Sequence, residues 1–147
     1  MIERIIFDWK RTLYDPDQAD LLPGAQTVLE TLDSQEYDLF LIGKGGKDME
    51  NAIDRTGVRP LFKVVHFVAV KSDALFRDYI PETNTETTLV VGDRAQSEVA
   101  LAKSLGAKAI WLRAGLFQDE LPLPNVPPPD DIIFDIRELP NSSLLLT

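Results

Sequence analysis

The residues able to do chemistry cluster where apolar, β-rich runs end. Ile5-Ile6-Phe7 is followed by Asp8-Trp9-Lys10-Arg11-Thr12-Leu13, and a second run, Tyr37 to Ile42, by Gly43-Lys44-Gly45-Gly46. Lys71 closes a third run, and Gly92-Asp93 closes a fourth, with Glu98 five residues beyond Asp93. In open parallel α/β sheets, ligands sit beyond the C-terminal ends of the strands. On such a sheet the acids, the glycine-rich turn and the lysine meet on one rim. Gly43 to Gly46 reads equally as a nest of N–H groups for an anion, with Lys44 adding charge, and as a flexible turn into a helix. Asp8 as a turn former and Asp93 as a helix cap are the structural alternatives to a site. Glu98 is either a ligand or a solvated helix residue. Lys71 precedes a predicted helix, where a cation is not favoured, and this favours a site role.

The elements that must position these residues follow from periodicity. Ala25, Val28, Leu29 and Leu32 repeat as one buried helical face after Pro23. Lys47 to Thr56 repeats the pattern through Met49, Ala52 and Ile53, with Gly57 as a C-terminal cap. Helices are also expected over Ser72 to Ile80, stopped by Pro81, and over Arg94 to Leu105. Strands are expected at Ile5 to Phe7, Tyr37 to Ile42, Lys63 to Val70, Thr88 to Val91 and Ala109 to Leu112. This alternation predicts a Rossmann-like three-layer α/β/α domain with a central, mostly parallel sheet of about five strands. Leu121 to Asp130 holds five prolines and reads as a loop wrapping the domain, and Asp131 to Leu139 as a further short strand and turn or helix. One domain over residues 1–147 is the expectation for this length.

Composition narrows the function classes. A net charge of −9 argues against a general nucleic-acid binder, although it leaves room for a local positive pocket. No apolar run approaches the roughly 18 residues of a membrane span, and Met1 to Phe7 is too short and too soon charged for a signal peptide. With no cysteine there is no disulfide framework and no thiolate zinc site. A cytoplasmic protein, free of membrane and nucleic acid, is the expectation. His66, the only histidine, reads as a structural strand residue, and Trp9 and Trp111 as packing residues. Asp15, Asp17 and Asp20 read as a solvated loop face.

The ordered set of motifs resembles the haloacid dehalogenase superfamily, most of whose members are phosphatases. That family's first motif, Asp-x-Asp-Gly-Thr-Leu, is similar to Asp8-Trp9-Lys10-Arg11-Thr12-Leu13; its third, a lysine or arginine, to Lys71; its fourth, Gly-Asp followed by an acid, to Gly92-Asp93 with Glu98. The second motif, a Thr or Ser ending a strand, falls at Gly43. The resemblance spans residues 2 to 115. It implies that Asp8 is a nucleophile forming an aspartyl-phosphate. Mg²⁺ would be held by Asp8, the Lys10 carbonyl, Asp93 and Glu98, and Lys71 would anchor Asp8. A phosphorylated substrate of unknown identity would bind near Gly43 and Lys44. Too few residues separate Asp8 from Gly43, or Gly46 from Lys71, for a cap domain, so an open site suited to large substrates is implied.

Three positions depart from the family pattern. Lys10 stands where the family has its general acid/base Asp, and a lysine titrating near about 10.4 is a poor base at neutral pH. Lys10 could instead pair with Asp8. Gly43 lacks the hydroxyl that binds a phosphoryl oxygen, and Arg11 replaces the glycine that lets the chain turn. Two functions follow: an Mg²⁺-dependent phosphohydrolase, or a descendant without turnover that serves as a phosphate-binding or protein-interaction module. A phosphoacceptor signalling domain is a third, made less apt by the Gly-Asp…Glu motif.

Overall fold

A computed structural model describes residues 1–146. In chain order its elements are β1 (Arg4–Phe7), β2 (Tyr14–Asp15), β3 (Asp20–Leu21), α1 (Ala25–Ser34), β4 (Asp38–Lys44), α2 (Lys47–Thr56), β5 (Val64–Val68), α3 (Asp73–Arg77), β6 (Thr88–Gly92), α4 (Glu98–Ser104), β7 (Lys108–Leu112) and β8 (Asp131–Ile133). Six strands form one sheet in the order β5-β4-β1-β6-β7-β8, every neighbouring pair parallel. The expected five strands are thus joined by β8, from the segment read as a further short strand.

The two faces of the sheet explain the near-continuous apolar runs. Ile5, Phe7, Leu39, Leu41, Leu89 and Val91 pack towards α1 and α2, whereas Ile6, Val90, Ala109 and Trp111 pack towards α3 and α4. Successive strand residues point to opposite faces, so a strand covered on both sides must be apolar throughout. α1 buries Ala25, Val28, Leu29 and Leu32, and α2 buries Met49, Ala52 and Ile53, as their spacing requires. Gly57 caps α2 with φ 77°, in the left-handed region.

Two helices are shorter than their periodicity suggests. α4 begins at Glu98 because Asp93 to Ser97 forms a turn, in which the Ser97 N–H donates to the Arg94 carbonyl at 3.2 Å. α3 begins after Ser72, whose hydroxyl accepts from the Leu75 N–H at 3.2 Å, and ends at Arg77. The small hairpin of β2 and β3 lies where a plain loop was expected. It starts from a tight turn in which the Tyr14 N–H donates to the Trp9 carbonyl at 2.9 Å and the Arg11 N–H to the Tyr14 carbonyl at 2.6 Å. Arg11 sits in that turn at φ 63°, a left-handed conformation in which a side chain is strained by about 1–2 kcal/mol.

The proline-rich segment is tied at both ends. Glu120 accepts from Arg94 Nε at 2.8 Å and from the Gln96 N–H at 2.7 Å; Asp130 accepts from Lys103 Nζ at 2.8 Å and from the Ala109 N–H at 2.9 Å. Among the described residues no helix is long and apolar enough to cross a membrane.

Candidate active site

β1 and β6 are central neighbours, paired through Phe7 and Val91, so Asp8 and Asp93 leave the sheet side by side. Asp8 prolongs the ladder, its N–H donating to the Val91 carbonyl at 3.0 Å. Glu98, in the first turn of α4, folds back beneath Gly92. A Cβ added at Gly92 would collide with the Glu98 carboxylate and its Cγ, so only glycine fits there. Ligand oxygens of Asp8, Asp93 and Glu98 all lie within 4.8 Å of one another, and all three residues are buried.

Lys71 reaches into this cluster from the segment after β5. Its Nζ donates to Asp8 Oδ1 at 2.5 Å and to Glu98 Oε2 at 3.4 Å. The Thr12 hydroxyl, fully buried, donates to Asp8 Oδ2 at 3.2 Å, so both oxygens of Asp8 are held. Glu98 Oε1 accepts from the Arg94 N–H at 3.1 Å. The Asp93 carbonyl accepts from Trp111 Nε1 at 2.9 Å, which fixes the backbone beside the carboxylate. Asp93 Oδ2 is buried and has no donor.

Electrostatics follow from this crowding. Burial, reinforced by the neighbouring Asp8 charge, pushes the Asp93 carboxyl up to about 9. Burial and Asp8 likewise raise Glu98. For Lys71 burial works against the charge, but Asp8 and Glu98 together outweigh it and hold the ammonium above its ordinary value. Three carboxylates against one ammonium leave two uncompensated negative charges when all are ionised. Hard oxygens, an orphaned buried carboxylate oxygen and that charge deficit suit a divalent cation such as Mg²⁺. No backbone N–H among the described residues bonds the Lys10 carbonyl, so that oxygen is also free.

Not every residue singled out in the sequence joins the cluster. Asp8, Lys71, Asp93 and Glu98 come together; Lys10, Arg11, Lys44 and Arg94 ring the cavity above them. Lys10 makes no ion pair with Asp8, whose partner is Lys71, and its charge is felt instead at Asp48. Gly43 lies within β4, where an added Cβ would stand 2.8 Å from Trp9 Cβ and 3.1 Å from the Phe67 ring. The N–H groups of the glycine turn are largely engaged. Gly45 donates to the Val68 carbonyl at 3.1 Å and Gly46 to Asp48 Oδ1 at 3.2 Å. That Gly46 bond, with one from Met49, holds Asp48 below the usual carboxylate range.

The sequence did not single out Arg94 or Phe117, and it gave Thr12 and Gly92 no role beyond their motifs. Thr12 was visible as part of the first motif, but its bond to Asp8 was not. Phe117 is placed by the turn after β7, with the Arg94 guanidinium 4.0 Å from its ring centroid. Trp111 packs as expected and also holds Asp93. Trp9 is fully buried and stacks on Tyr14 at 5.1 Å. His66 Nε2 and the Tyr79 hydroxyl lie 2.6 Å apart, a satisfied structural pair.

Comparison with known proteins places this arrangement. The profile of the HAD-hydrolase-like family matches residues 65–139, from β5 through Lys71 and Asp93 to the last turn. Pyrimidine 5'-nucleotidase PynA of Streptococcus pneumoniae is 27% identical over 107 residues, 67% of this chain but 45% of that protein. The chain therefore spans less than half the length of that curated relative. An uncharacterised protein of Listeria monocytogenes serotype 4b superposes with a TM-score of 0.75 at 18% identity, over 99% of this chain and 98% of its own. YfnB of Bacillus subtilis, classed as a HAD-hydrolase and bound to magnesium, superposes with a TM-score of 0.68 at 22% identity, over 88% of this chain and 57% of its own. Fold, motif order and profile agree, and the chain belongs to the HAD-hydrolase-like family.

Proposed function

We propose that this chain is an Mg²⁺-dependent phosphohydrolase acting on phosphate monoesters through Asp8. The observation that carries the reading is the buried cluster of Asp8, Asp93 and Glu98, with Asp93 Oδ2 unpartnered and Lys71 bonded to Asp8. A scaffold has no physical need for three buried acids whose burial raises two of them.

Asp8, Asp93, Glu98 and the Lys10 carbonyl would hold Mg²⁺. When bound, the ion would neutralise charge developing on the phosphoryl oxygens. Lys71 and Thr12 fix the Asp8 carboxylate from two sides, which orients it for attack without reorganisation. An Asp8 oxygen forms a bond to phosphorus as the ester P–O bond breaks, giving an aspartyl-phosphate and a free alcohol. Water then cleaves the aspartyl-phosphate to phosphate and restores Asp8. The cations around the cavity (Lys10, Arg11, Lys44 and Arg94) attract the anionic substrate in an otherwise acidic protein. With lysine at position 10, the leaving oxygen takes its proton from an ammonium or from solvent, so turnover is slow.

The alternative, a phosphate-binding or interaction module without turnover, has its own support. Gly43 leaves no room for a hydroxyl-bearing side chain, and the glycine-turn N–H groups are already bonded. Phosphate release from aryl phosphates, with and without Mg²⁺, separates the two. The wild type is expected to show Mg²⁺-dependent release that Asp8→Asn lowers by about 10⁴-fold or more. Pyrimidine nucleoside monophosphates belong in the panel because of the activity that PynA's name carries. No release on any substrate, together with no rise in melting temperature on adding Mg²⁺, would sink the enzyme reading.

A further inference from the structure

A second cavity, of about 490 Å³, opens beside the cation-ringed one, and the two share Arg11 as a common wall. It too lies beyond the C-terminal ends of strands. Leu112, Ala114 and Leu116 come from the end of β7 and the turn after it, and Phe134 and Ile136 from just past β8. The short helical turn Gly115–Phe117 divides its residues between the two spaces, Leu116 lining this cavity and Phe117 the one over Asp8. The β2–β3 hairpin and the chain leaving it also line the cavity, through Asp15, Asp17 and Leu22.

Two features point to a ligand. Leu116 and Phe134 are 68% and 62% exposed, two large apolar side chains held in water at the mouth of one cavity. The acids on its wall also differ in what they have left to give. Asp135 is saturated by Arg137, through the N–H, Nε and Nη2. Asp15 Oδ1 takes the N–H groups of Asp17 and Gln18. Among the described residues the Asp17 carboxylate accepts no hydrogen bond and joins no ion pair, so both of its oxygens are free, whereas Asp15 keeps only Oδ2. The volume falls within the roughly 300–1,000 Å³ typical of small-molecule pockets.

We propose that this cavity binds the organic group of the substrate, and that the group is an apolar ring or chain carrying an amino or ammonium substituent. This deepens the proposed function and rests on its reading of the Asp8 site as the phosphoryl site. With the phosphoryl group over Asp8 and Arg11 between the two spaces, the ester's remaining atoms pass Arg11 into the apolar space. There Leu116 and Phe134 cover the apolar body and Asp17 receives the N–H donor. The specificity of an uncapped site is then supplied by the hairpin and by the turns after β7 and β8.

The test uses non-hydrolysable phosphonates titrated into the full chain with Mg²⁺: methylphosphonate, benzylphosphonate and 4-(aminomethyl)benzylphosphonate. Affinity is expected to rise by about tenfold at each step. Leu116→Lys, at an exposed position where the fold tolerates charge, should erase both gains while methylphosphonate still binds within about twofold. Asp17→Asn should erase only the second gain. Equal affinity for all three ligands, or gains that survive Leu116→Lys, overturns this inference alone. Binding of none of the three overturns the phosphoryl site and this inference together. Discrimination among the three without any phosphate release from the matching phosphate esters removes the enzyme reading and keeps the pocket.

Discussion

The rim of the sheet has two halves that treat their polar groups differently. At the ends of β1 and β6, Asp8, Asp93 and Glu98 are buried together, Lys71 pairs with Asp8 and Glu98, and Asp93 Oδ2 has no partner. At the end of β4, the N–H groups of Gly45 and Gly46 are already bonded within the chain, and Gly43 is closed in by Trp9 and Phe67. The first half holds polar groups whose needs the fold leaves unmet, at a cost in stability. The second has met most of its own. An unsatisfied buried polar group is expensive, so its presence argues for a ligand, whereas a satisfied turn argues for nothing beyond itself. The acids and Lys71 therefore carry the functional case here, and the glycine turn does not.

Removing Lys71 should break this contrast most severely. Lys71→Met leaves Asp8 and Glu98 buried without their cation and is expected to destabilise the metal-free protein by about 3–5 kcal/mol, a fall of roughly 10 °C or more in melting temperature. Mg²⁺ should restore part of the loss; no loss at all would mean that the triad is not buried as described.

Returning a hydroxyl to the β4 half should also destabilise. Gly43→Thr forces a Cβ to within 2.8 Å of Trp9 Cβ and is expected to lose about 1–3 kcal/mol by overpacking, read from urea unfolding. A stable Gly43→Thr protein with faster phosphate release would show that this half had kept its phosphate-binding capacity.

The pH dependence sharpens the comparison more gently. The folded Asp93 carboxyl titrates near 9, above the ordinary aspartate value of 3.8, so the folded state holds a proton that the unfolded chain has released. Its contribution is fully present below about pH 4 and is lost as pH rises through 9. Glu98, also raised, adds in the same direction. Metal-free protein should therefore be less stable, by melting temperature, at pH 9 than near neutrality. Asp93→Asn should flatten that slope and weaken Mg²⁺ binding, and the stabilisation from Mg²⁺ should grow with pH because binding must displace the proton. An unchanged slope in Asp93→Asn would place the proton elsewhere.

Long elements were legible in the sequence because burial on one helix face or two sheet faces imposes a period. α2 falls on Lys47 to Thr56 as its spacing predicts, and the faces of α1 and α2 are those expected. Short elements were not. Two-residue strands such as Tyr14–Asp15 and Asp20–Leu21 carry no period, and their hairpin is held by backbone bonds to Trp9 and Tyr14. The helix start after Asp93 also shifted to Glu98, since a side-chain carboxylate accepting the Arg94 N–H substitutes for a helical turn.

The sequence by itself determined which residue types end which strands. With the parallel alternation, this is enough to send Asp8, Lys71, Asp93 and Glu98 to one rim, because every strand of a parallel sheet ends on the same side. Only the tertiary structure decided how those groups share their bonds. Lys71 rather than Lys10 meets Asp8, Thr12 holds the second oxygen, Glu98 lies under Gly92, and Asp93 Oδ2 is left without a donor. Such pairings depend on distances of a few ångströms between elements far apart in the chain. Sequence spacing constrains geometry along a strand or a helix, but not the gap between two of them.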